Sequence, residues 1–113
     1  MRHNASDKLG IGGLERLDRL LEHRSRLGAC ALLAQHDALS FSRLKELLDE
    51  TDGNLGAHLH KLEDQGYLTV RKEFVNRKPV SWYSLTPKGR EALKAHLNAI
   101  ADIGRGLRFK ERT

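Results

Sequence analysis

The sequence predicts one small, mainly α-helical domain that carries a single β-hairpin. Three observations lead to this fold class. The chain has 113 residues, 39% of them apolar, and a chain of this length can bury one core but not two. Leucines recur at helical spacing in several separate stretches. Two β-rich stretches between residues 67 and 85 are separated by a short polar turn.

The first two elements are predicted as helices. Residues 14–24 carry leucines at 14, 17, 20 and 21 among charged residues, which indicates a short amphipathic helix. A second helix is predicted between Ser25 and His36, and because its segment 27–34 is apolar on every side, it should lie at the centre of the fold. This helix contains Cys30, the only cysteine of the chain, and a single cysteine excludes an intrachain disulfide framework. Because its neighbours are apolar, we expect Cys30 to be a small core residue and not a redox trigger.

The next two helices are short and joined by a tight turn. Ser40 is a candidate N-cap for a helix with Phe41, Leu44, Leu47 and Leu48 at helical spacing. Thr51 is a candidate N-cap for a second helix, which buries Leu55, Leu59 and Leu62 and ends at the C-cap glycine Gly66. This spacing is the helix-turn-helix arrangement, in which the second helix is offered to the major groove of DNA.

A hairpin and a last helix follow. Residues 67–75 and 80–85 are predicted as its two strands, with residues 76–79 as the turn. Thr86 and Pro87 then provide an N-cap and an N1 proline for a helix that ends near residue 103. The predicted organisation is a flexible N-terminus at residues 1–13, one domain at 14–103 and a basic tail at 104–113.

The positive charge is concentrated in the hairpin. The net charge of the chain is +5, and residues 67–90 alone contain six basic residues and one acidic residue. A basic hairpin indicates a polyanionic partner.

The longest apolar run, residues 29–34, is far shorter than the roughly 18 residues that cross a membrane, and no signal-type stretch follows Met1. We therefore expect a cytoplasmic protein without membrane contact.

Three linked motifs between residues 39 and 93 carry a family resemblance. They are Asp-Gly-Asn-Leu-x-x-His-Leu-x-x-Leu from Asp52, Gly-Tyr-Leu from Gly66, and Tyr-Ser-Leu-Thr-Pro-Lys-Gly-Arg from Tyr83. In this order they resemble the winged-helix domain of MarR- and ArsR-type transcriptional regulators. The resemblance covers about half of the chain. It implies a winged helix-turn-helix fold and a prokaryotic homodimer that binds a palindromic operator, with the hairpin, the wing, touching the flanking backbone.

Helical geometry and charge select the candidate DNA-binding residues. They are Gly53, Asn54, Ala57, His58, His60, Lys61, Arg71, Lys72, Arg77 and Lys78. Alternatives stay open for several of them: His58 could be a packed histidine with local partners, and the basic wing tip could be a solvated hairpin end. Two glycines in one helix, Gly53 and Gly56, favour close backbone approach to DNA over a weak helix start.

The outer helices predict dimerisation. The candidate interface residues are Leu14, Leu17, Leu21, Leu93, Leu97 and Ile100, because their stripes would leave an apolar patch on a monomer. Packing of the first helix on the last within one chain is the alternative, and both can hold together.

The sequence thus predicts a homodimeric transcriptional regulator, most simply a repressor that occludes a promoter palindrome in double-stranded DNA. The alternative is a winged-helix module that binds an acidic protein. The histidines are scattered and no catalytic constellation is present, so we expect no enzyme activity, no metal and no cofactor. A small-molecule effector at the dimer interface stays open.

Overall fold

The computed structural model describes residues 10–110, which form four α-helices and a three-stranded antiparallel sheet. In chain order the elements are α1 (Arg24–Ala34), β1 (Leu39–Ser40), α2 (Phe41–Leu48), α3 (Asp52–Asp64), β2 (Leu68–Val75), β3 (Lys78–Leu85) and α4 (Pro87–Gly106). This is a winged helix, as the sequence predicts. None of the helices in the described part of the chain is long and apolar enough to span a membrane.

The predicted helix over residues 14–24 is wrong. The segment forms two 3₁₀ turns, Leu14–Arg16 and Arg19–Leu21, with extended backbone between them. Asp18 is the cause: its N–H donates to Nδ1 of His96 at 2.9 Å, and its carboxylate accepts from the N–H of Leu20 at 2.9 Å. The Tyr67 hydroxyl also donates to this carboxylate at 2.5 Å, and burial together with this bond raises the pKa of Tyr67 to about 12.

The packed elements extend slightly beyond residues 14 and 103. Gly13 packs closely on α4, since a Cβ atom at this position would stand 2.6 Å from the carbonyl oxygen of Ala99. The last helix continues to Gly106, beyond its predicted end near residue 103. Most of the predicted flexible N-terminus, residues 1–9, and residues 111–113 of the predicted basic tail lie outside the described residues.

The helix α1 provides the centre of the core, as predicted. Ala29, Cys30 and Leu33 are buried there against leucines of the later elements. Burial raises the pKa of the Cys30 thiol to about 12, so the thiolate that redox chemistry needs is scarce at neutral pH. Cys30 therefore acts as a small core residue.

The helix-turn-helix follows the predicted caps. The Ser40 hydroxyl accepts from the N–H of Arg43 at 3.1 Å, and the Thr51 hydroxyl accepts from the N–H of Asn54 at 3.2 Å. Between the two helices, Asp49 adopts a left-handed conformation with φ of 53° and turns the chain. The position of α3 is thus defined by local hydrogen bonds at its start and by three buried leucines along its length.

The sheet has the strand order β1-β3-β2. The strands β2 and β3 pair along their whole length, from Leu68 opposite Leu85 to Val75 opposite Lys78. The two-residue strand β1 pairs with β3 through Leu39 and Ser40. The sequence analysis does not predict β1, because two residues give no periodic signal and their partners on β3 lie more than 40 positions later.

The two ends of the hairpin are fastened to the start of α4 by Thr86. Its N–H donates to the carbonyl of Tyr67 at 3.0 Å, and its hydroxyl donates to the carbonyl of Gly66 at 2.6 Å. The same hydroxyl accepts from the N–H of Gly89 at 3.0 Å, and Pro87 opens the helix as predicted. A Cβ atom at Gly89 would stand 2.2 Å from the carbonyl oxygen of Tyr67. We call Gly66, Tyr67, Thr86 and Gly89 the wing base.

Candidate nucleic-acid interface

The outer face of α3 is exposed to solvent. The structure exposes Gly53, Ala57, His60 and Lys61, which helical geometry assigns to this face, and Asn54 on its flank. The side chain of Asn54 forms a hydrogen bond with Glu50. Leu55, Leu59 and Leu62 hold the opposite face in the core, each at most 1% exposed. His60 lies 3.5 Å from Asp64 on the same face, whereas no acidic side chain among residues 10–110 forms an ion pair with Lys61.

The two glycines of α3 are not required by packing within the chain. A Cβ atom added at Gly53 or at Gly56 would have no heavy atom within 4 Å. Glycine inside a helix costs up to about 1 kcal/mol relative to alanine. The fold therefore gives no reason for two glycines here, whereas a surface that approaches the backbone of α3 closely would give one.

His58 lies on the inner flank of α3 and contacts α1. Its Nδ1 accepts a hydrogen bond from the guanidinium of Arg26 at 3.0 Å, and its ring packs against His23 with the centroids 4.0 Å apart and the planes tilted by 36°. Its Nε2 lies 4.0 Å from Oε2 of Glu50. Both ring nitrogens thus face groups of the same chain. The alternative reading, a packed histidine with local partners, describes this position, and we leave His58 out of the candidate DNA surface.

These contacts fix the turn between α2 and α3. Burial lowers the pKa of His58, and the nearby charges of His23 and Arg26 lower it further, so the imidazole is neutral at pH 7. The pKa of Glu50 is also lowered, chiefly by the hydrogen bond that the Ser25 hydroxyl donates to it. An ionised Glu50 bonded to α1 holds the start of α3 in place. The orientation of the helix is therefore set from within the chain.

The wing ends in a tight two-residue turn. Val75 pairs directly with Lys78, so only Asn76 and Arg77 connect the strands. Both are left-handed, with φ of 51° and 67°. This is the pattern of a type I′ turn, which favours Asn followed by Gly. An arginine in the second position places a long cationic side chain at the outermost point of the hairpin, at a conformational cost that glycine would avoid.

Three of the four predicted wing cations are unpaired within the described chain. Lys72, Arg77 and Lys78 are exposed, and none of them forms an ion pair with another residue between positions 10 and 110. Arg71 differs, because it pairs with Glu73, which also accepts from Nε1 of Trp82 at 2.9 Å. The unpaired positive charge of the wing thus belongs to Arg77 and Lys78 at its tip and to Lys72 on β2.

The candidate dimer residues divide into two groups. Leu21 and Leu93 are 0% and 5% exposed in a single chain, so they belong to its core and offer nothing to a second subunit. Leu17 is half-buried. Leu14, Leu97 and Ile100 are 38%, 46% and 43% exposed, and these three residues are the part of the predicted stripe that a partner could cover. Packing within the chain explains the rest.

The sequence analysis does not identify two features near the candidate interface, the partners of His58 and the exposed ring of Phe74. The partners of His58 on α1 lie more than 30 positions earlier, and no local pattern links them. Phe74 is different: alternation along β2 places it on the face of Leu68 and Val70, beyond the end of the core, and this signal is present in the sequence. The structure leaves its side chain 76% exposed.

In the part of the chain that the structure describes, no three His, Cys, Asp or Glu side chains are grouped as metal ligands.

Comparison with known proteins agrees with this geometry. The sequence model of the winged helix DNA-binding domain matches residues 25–103. An uncharacterized protein from Methanocaldococcus jannaschii is 34% identical over 82 residues, which are 73% of this chain and 89% of that protein. The solved structure of a transcriptional regulator homologue from Pyrococcus horikoshii has a TM-score of 0.75 at 29% identity, and the match covers 81% of this chain and 91% of that one.

The fold is also that of MarR-family regulators. ZitR from Lactococcus lactis, a zinc-responsive MarR family member, has a TM-score of 0.55 at 21% identity, over 72% of this chain and 55% of that chain. Another ZitR structure is a complex with DNA. At this identity the likeness concerns the fold alone. Taken with the matched family model and the archaeal relative, the chain belongs to the winged helix DNA-binding domain family and has the fold of MarR-type transcriptional regulators.

Proposed function

We propose that the chain is a sequence-specific regulator that binds a palindrome in double-stranded DNA as a homodimer and represses transcription by occluding the promoter. The observation that carries this proposal is the pair of neighbouring surfaces described above. One is an exposed helix face held rigidly by the core, and the other is a wing whose tip cations have no internal partners. Free cations on a fixed scaffold match the regular phosphates of a duplex.

In this proposal the outer face of α3 enters the major groove. Asn54 can form two hydrogen bonds with an adenine edge or donate to a phosphate, and Lys61 and His60 can reach a phosphate or a guanine. Gly53 and Ala57 have no side chain or a small one, so the helix backbone can approach the base edges. Lys72, Arg77 and Lys78 would then contact the adjacent backbone and the minor groove, whose potential is most negative where it is narrow.

The glycines of α3 give a test in which stability and binding change in opposite directions. Gly56→Ala is expected to raise the free energy of unfolding by up to about 1 kcal/mol, because alanine favours the helix and the position has open space. The same change should weaken DNA binding by about tenfold, because a methyl group holds the backbone away from the groove. Urea denaturation and titration of a labelled duplex measure the two effects. Equal affinity of the variant and the parent protein would remove close approach from the proposal.

The proposed dimer buries the exposed part of the outer stripe. Leu97 and Ile100 lie one turn apart on α4, and Leu14 lies on the 3₁₀ turn that packs against the same helix. Arg16 of this turn pairs with Asp102 of α4, so the two segments form one surface. A second copy that covers this surface would remove several large apolar side chains from water.

Leu97→Asp is expected to give a monomer, because the new carboxylate would be desolvated at the proposed interface. The side chain is 46% exposed in one chain, so the variant should keep its fold and its circular dichroism spectrum. Asn98→Asp is the matched control, since it adds the same charge to a neighbouring exposed position and should leave the dimer intact. Sedimentation velocity measures the mass of each. A Leu97→Asp variant that sediments as a dimer would contradict the proposed interface.

Selection of bound duplexes from a random DNA pool, at about physiological salt, tests the proposed function directly. Enrichment of a palindrome with half-sites about one helical turn apart is the expected result. Recovery of no motif, with binding that is lost at moderate salt, would favour a module that binds an acidic protein, because such a module needs no sequence preference for DNA.

A further inference from the structure

Phe74 is the most exposed aromatic side chain on the wing. It lies on β2, two positions before Asn76, and 76% of it is accessible to solvent. The strand register places it opposite Pro79 on β3. No aromatic stacking or cation–π contact involves Phe74 among the residues that the structure describes. The hairpin thus presents an apolar pair, a phenyl ring beside a proline ring, next to its tip.

The position of this ring distinguishes it from ordinary exposed apolar residues. Single exposed hydrophobic side chains are common on protein surfaces and need no explanation by themselves. Phe74, however, continues the face of β2 that carries Leu68, which is 1% exposed in the core. Lys72 lies between them in sequence on this same face. The face of β2 that packs on the core at Leu68 therefore continues beyond the core, and Phe74 is the last residue on that face.

The charges around Phe74 indicate what kind of surface it meets. Lys72 lies two residues before it on the same strand. Arg77 is the second residue of the turn, and Lys78 is the first residue of the returning strand. None of these three cations has an ion-pair partner within residues 10–110. Lys72 shares the face of Phe74 and Arg77 lies in the turn, whereas Lys78 is opposite Val75 and lies on the other face. An apolar ring with free cations on its own strand and in the adjacent turn complements a surface with anionic margins and an apolar interior. A DNA groove has this chemistry, since phosphates line its edges and stacked bases form its floor.

We propose that Phe74, supported by Pro79, is an apolar wedge that enters the minor groove beside the α3 site and partly unstacks one base step. Such insertion bends the duplex toward the major groove, and the cost of unstacking depends on the step. Pyrimidine–purine steps such as TA and CA kink most easily. Phe74 is then a specificity-determining residue that reads the deformability of the sequence flanking each half-site. This inference rests on the proposed function.

Parallel selections from one random duplex pool test the wedge. The proteins are the parent chain, Phe74→Ala, Phe74→Leu and the control Val75→Ala. Val75 is the neighbouring residue on the opposite face of β2 and is 42% exposed, so the control removes an apolar side chain of the same strand without touching the proposed wedge. Neither Phe74 nor Val75 belongs to the buried core, so the four proteins should unfold at similar urea concentrations.

The expected result is a half-site motif flanked by a pyrimidine–purine step for the parent chain and for Val75→Ala. Phe74→Ala should keep the half-site, lose the preference at the flanking step and bind the parent motif about tenfold more weakly. Phe74→Leu keeps an apolar side chain and should restore part of the preference. With 2-aminopurine at the flanking step, the parent protein should raise the fluorescence on binding, and Phe74→Ala should not.

The outcomes separate the wedge from the proposed function. A motif that is the same for the parent chain and for Phe74→Ala, or a parent motif without fluorescence change at the flanking step, overturns the wedge and leaves the regulator proposal intact. Loss of the preference in Val75→Ala as well as Phe74→Ala also overturns it, because the effect would then belong to the hairpin in general. A parent chain that enriches no motif at all overturns both proposals.

Discussion

Gly89→Ala is expected to be the most destabilising single methyl addition considered for this chain. A Cβ atom at this position would stand 2.2 Å from the carbonyl oxygen of Tyr67 and 2.8 Å from Cδ1 of Leu85. The leucine can rotate away, but the carbonyl is backbone and accepts the N–H of Thr86 at 3.0 Å. Relief of the overlap must therefore displace the start of α4 from the backbone of Tyr67. We expect the free energy of unfolding to fall by about 3 kcal/mol, as in overpacked cores.

Thermal and urea denaturation, followed by circular dichroism, measure this loss, and the midpoint temperature should fall by about 10 °C. Gly56→Ala is the matched control, because it adds the same methyl group to a helix at a position with open space and should stabilise the chain. A Gly89→Ala variant as stable as the parent protein would show that α4 does not contact the backbone of Tyr67 at Gly89.

The double substitution of Arg77 and Lys78 by alanine is expected to have the largest effect on DNA binding. Both side chains lie at the end of the wing, and neither has an acidic partner in the described part of the chain. Each phosphate contact contributes about 0.9 to the slope of log affinity against log salt, so the slope should fall by up to about two units. The loss of affinity should be similar for all sequences, because phosphate contacts carry no base information.

Titrations at several salt concentrations measure the slope, and Lys94→Ala with Arg105→Ala is the matched control. These cations lie on α4 next to Glu91 and Asp102, respectively, so their removal changes the net charge equally without touching the wing. An unchanged slope in the wing variant, or an equal fall in the control, would remove the wing from the interface.

A single change at Arg77 separates charge from backbone strain. Arg77 has φ of 67°, which glycine adopts without the steric cost of a side chain. Arg77→Gly should therefore leave the fold at least as stable as the parent, although binding weakens as it does in the alanine variants. In the proposed function, Arg77 and the glycines of α3 both give up stability for contact with DNA, a pattern that is typical of functional sites.

Local signals in the sequence were sufficient to predict most of the helices and the hairpin. Ser40, Thr51 and Thr86 cap their helices as predicted, because a cap depends only on residues three positions away. The three motifs that carry the family resemblance also have a spatial meaning. Gly66 and Tyr67 of the second motif contact Thr86 and Gly89 of the third, at the wing base.

The wrong helix over residues 14–24 and the alternatives left open at His58 both depend on contacts between distant parts of the chain. Residues 14–24 have helical leucine spacing, but Asp18 bonds to His96 and Tyr67, and these bonds interrupt a helix that periodicity alone would favour. In the candidate site, the helical wheel places His58 on a flank of α3 correctly. Only the position of α1, which brings Arg26 and His23 to the ring, decides that this flank is closed.

The wing base and the wing tip are held by different means. At the base, Thr86 and Gly89 connect both strand ends to α4 and, through Tyr67 and Asp18, to the N-terminal turns. At the tip, the ladder of the two strands and a left-handed turn hold Asn76 and Arg77. The outer third of the hairpin can therefore be lengthened, shortened or given other side chains without loss of the attachment. In such a scaffold, the length and chemistry of the wing are free to diverge among related chains that share one folded core.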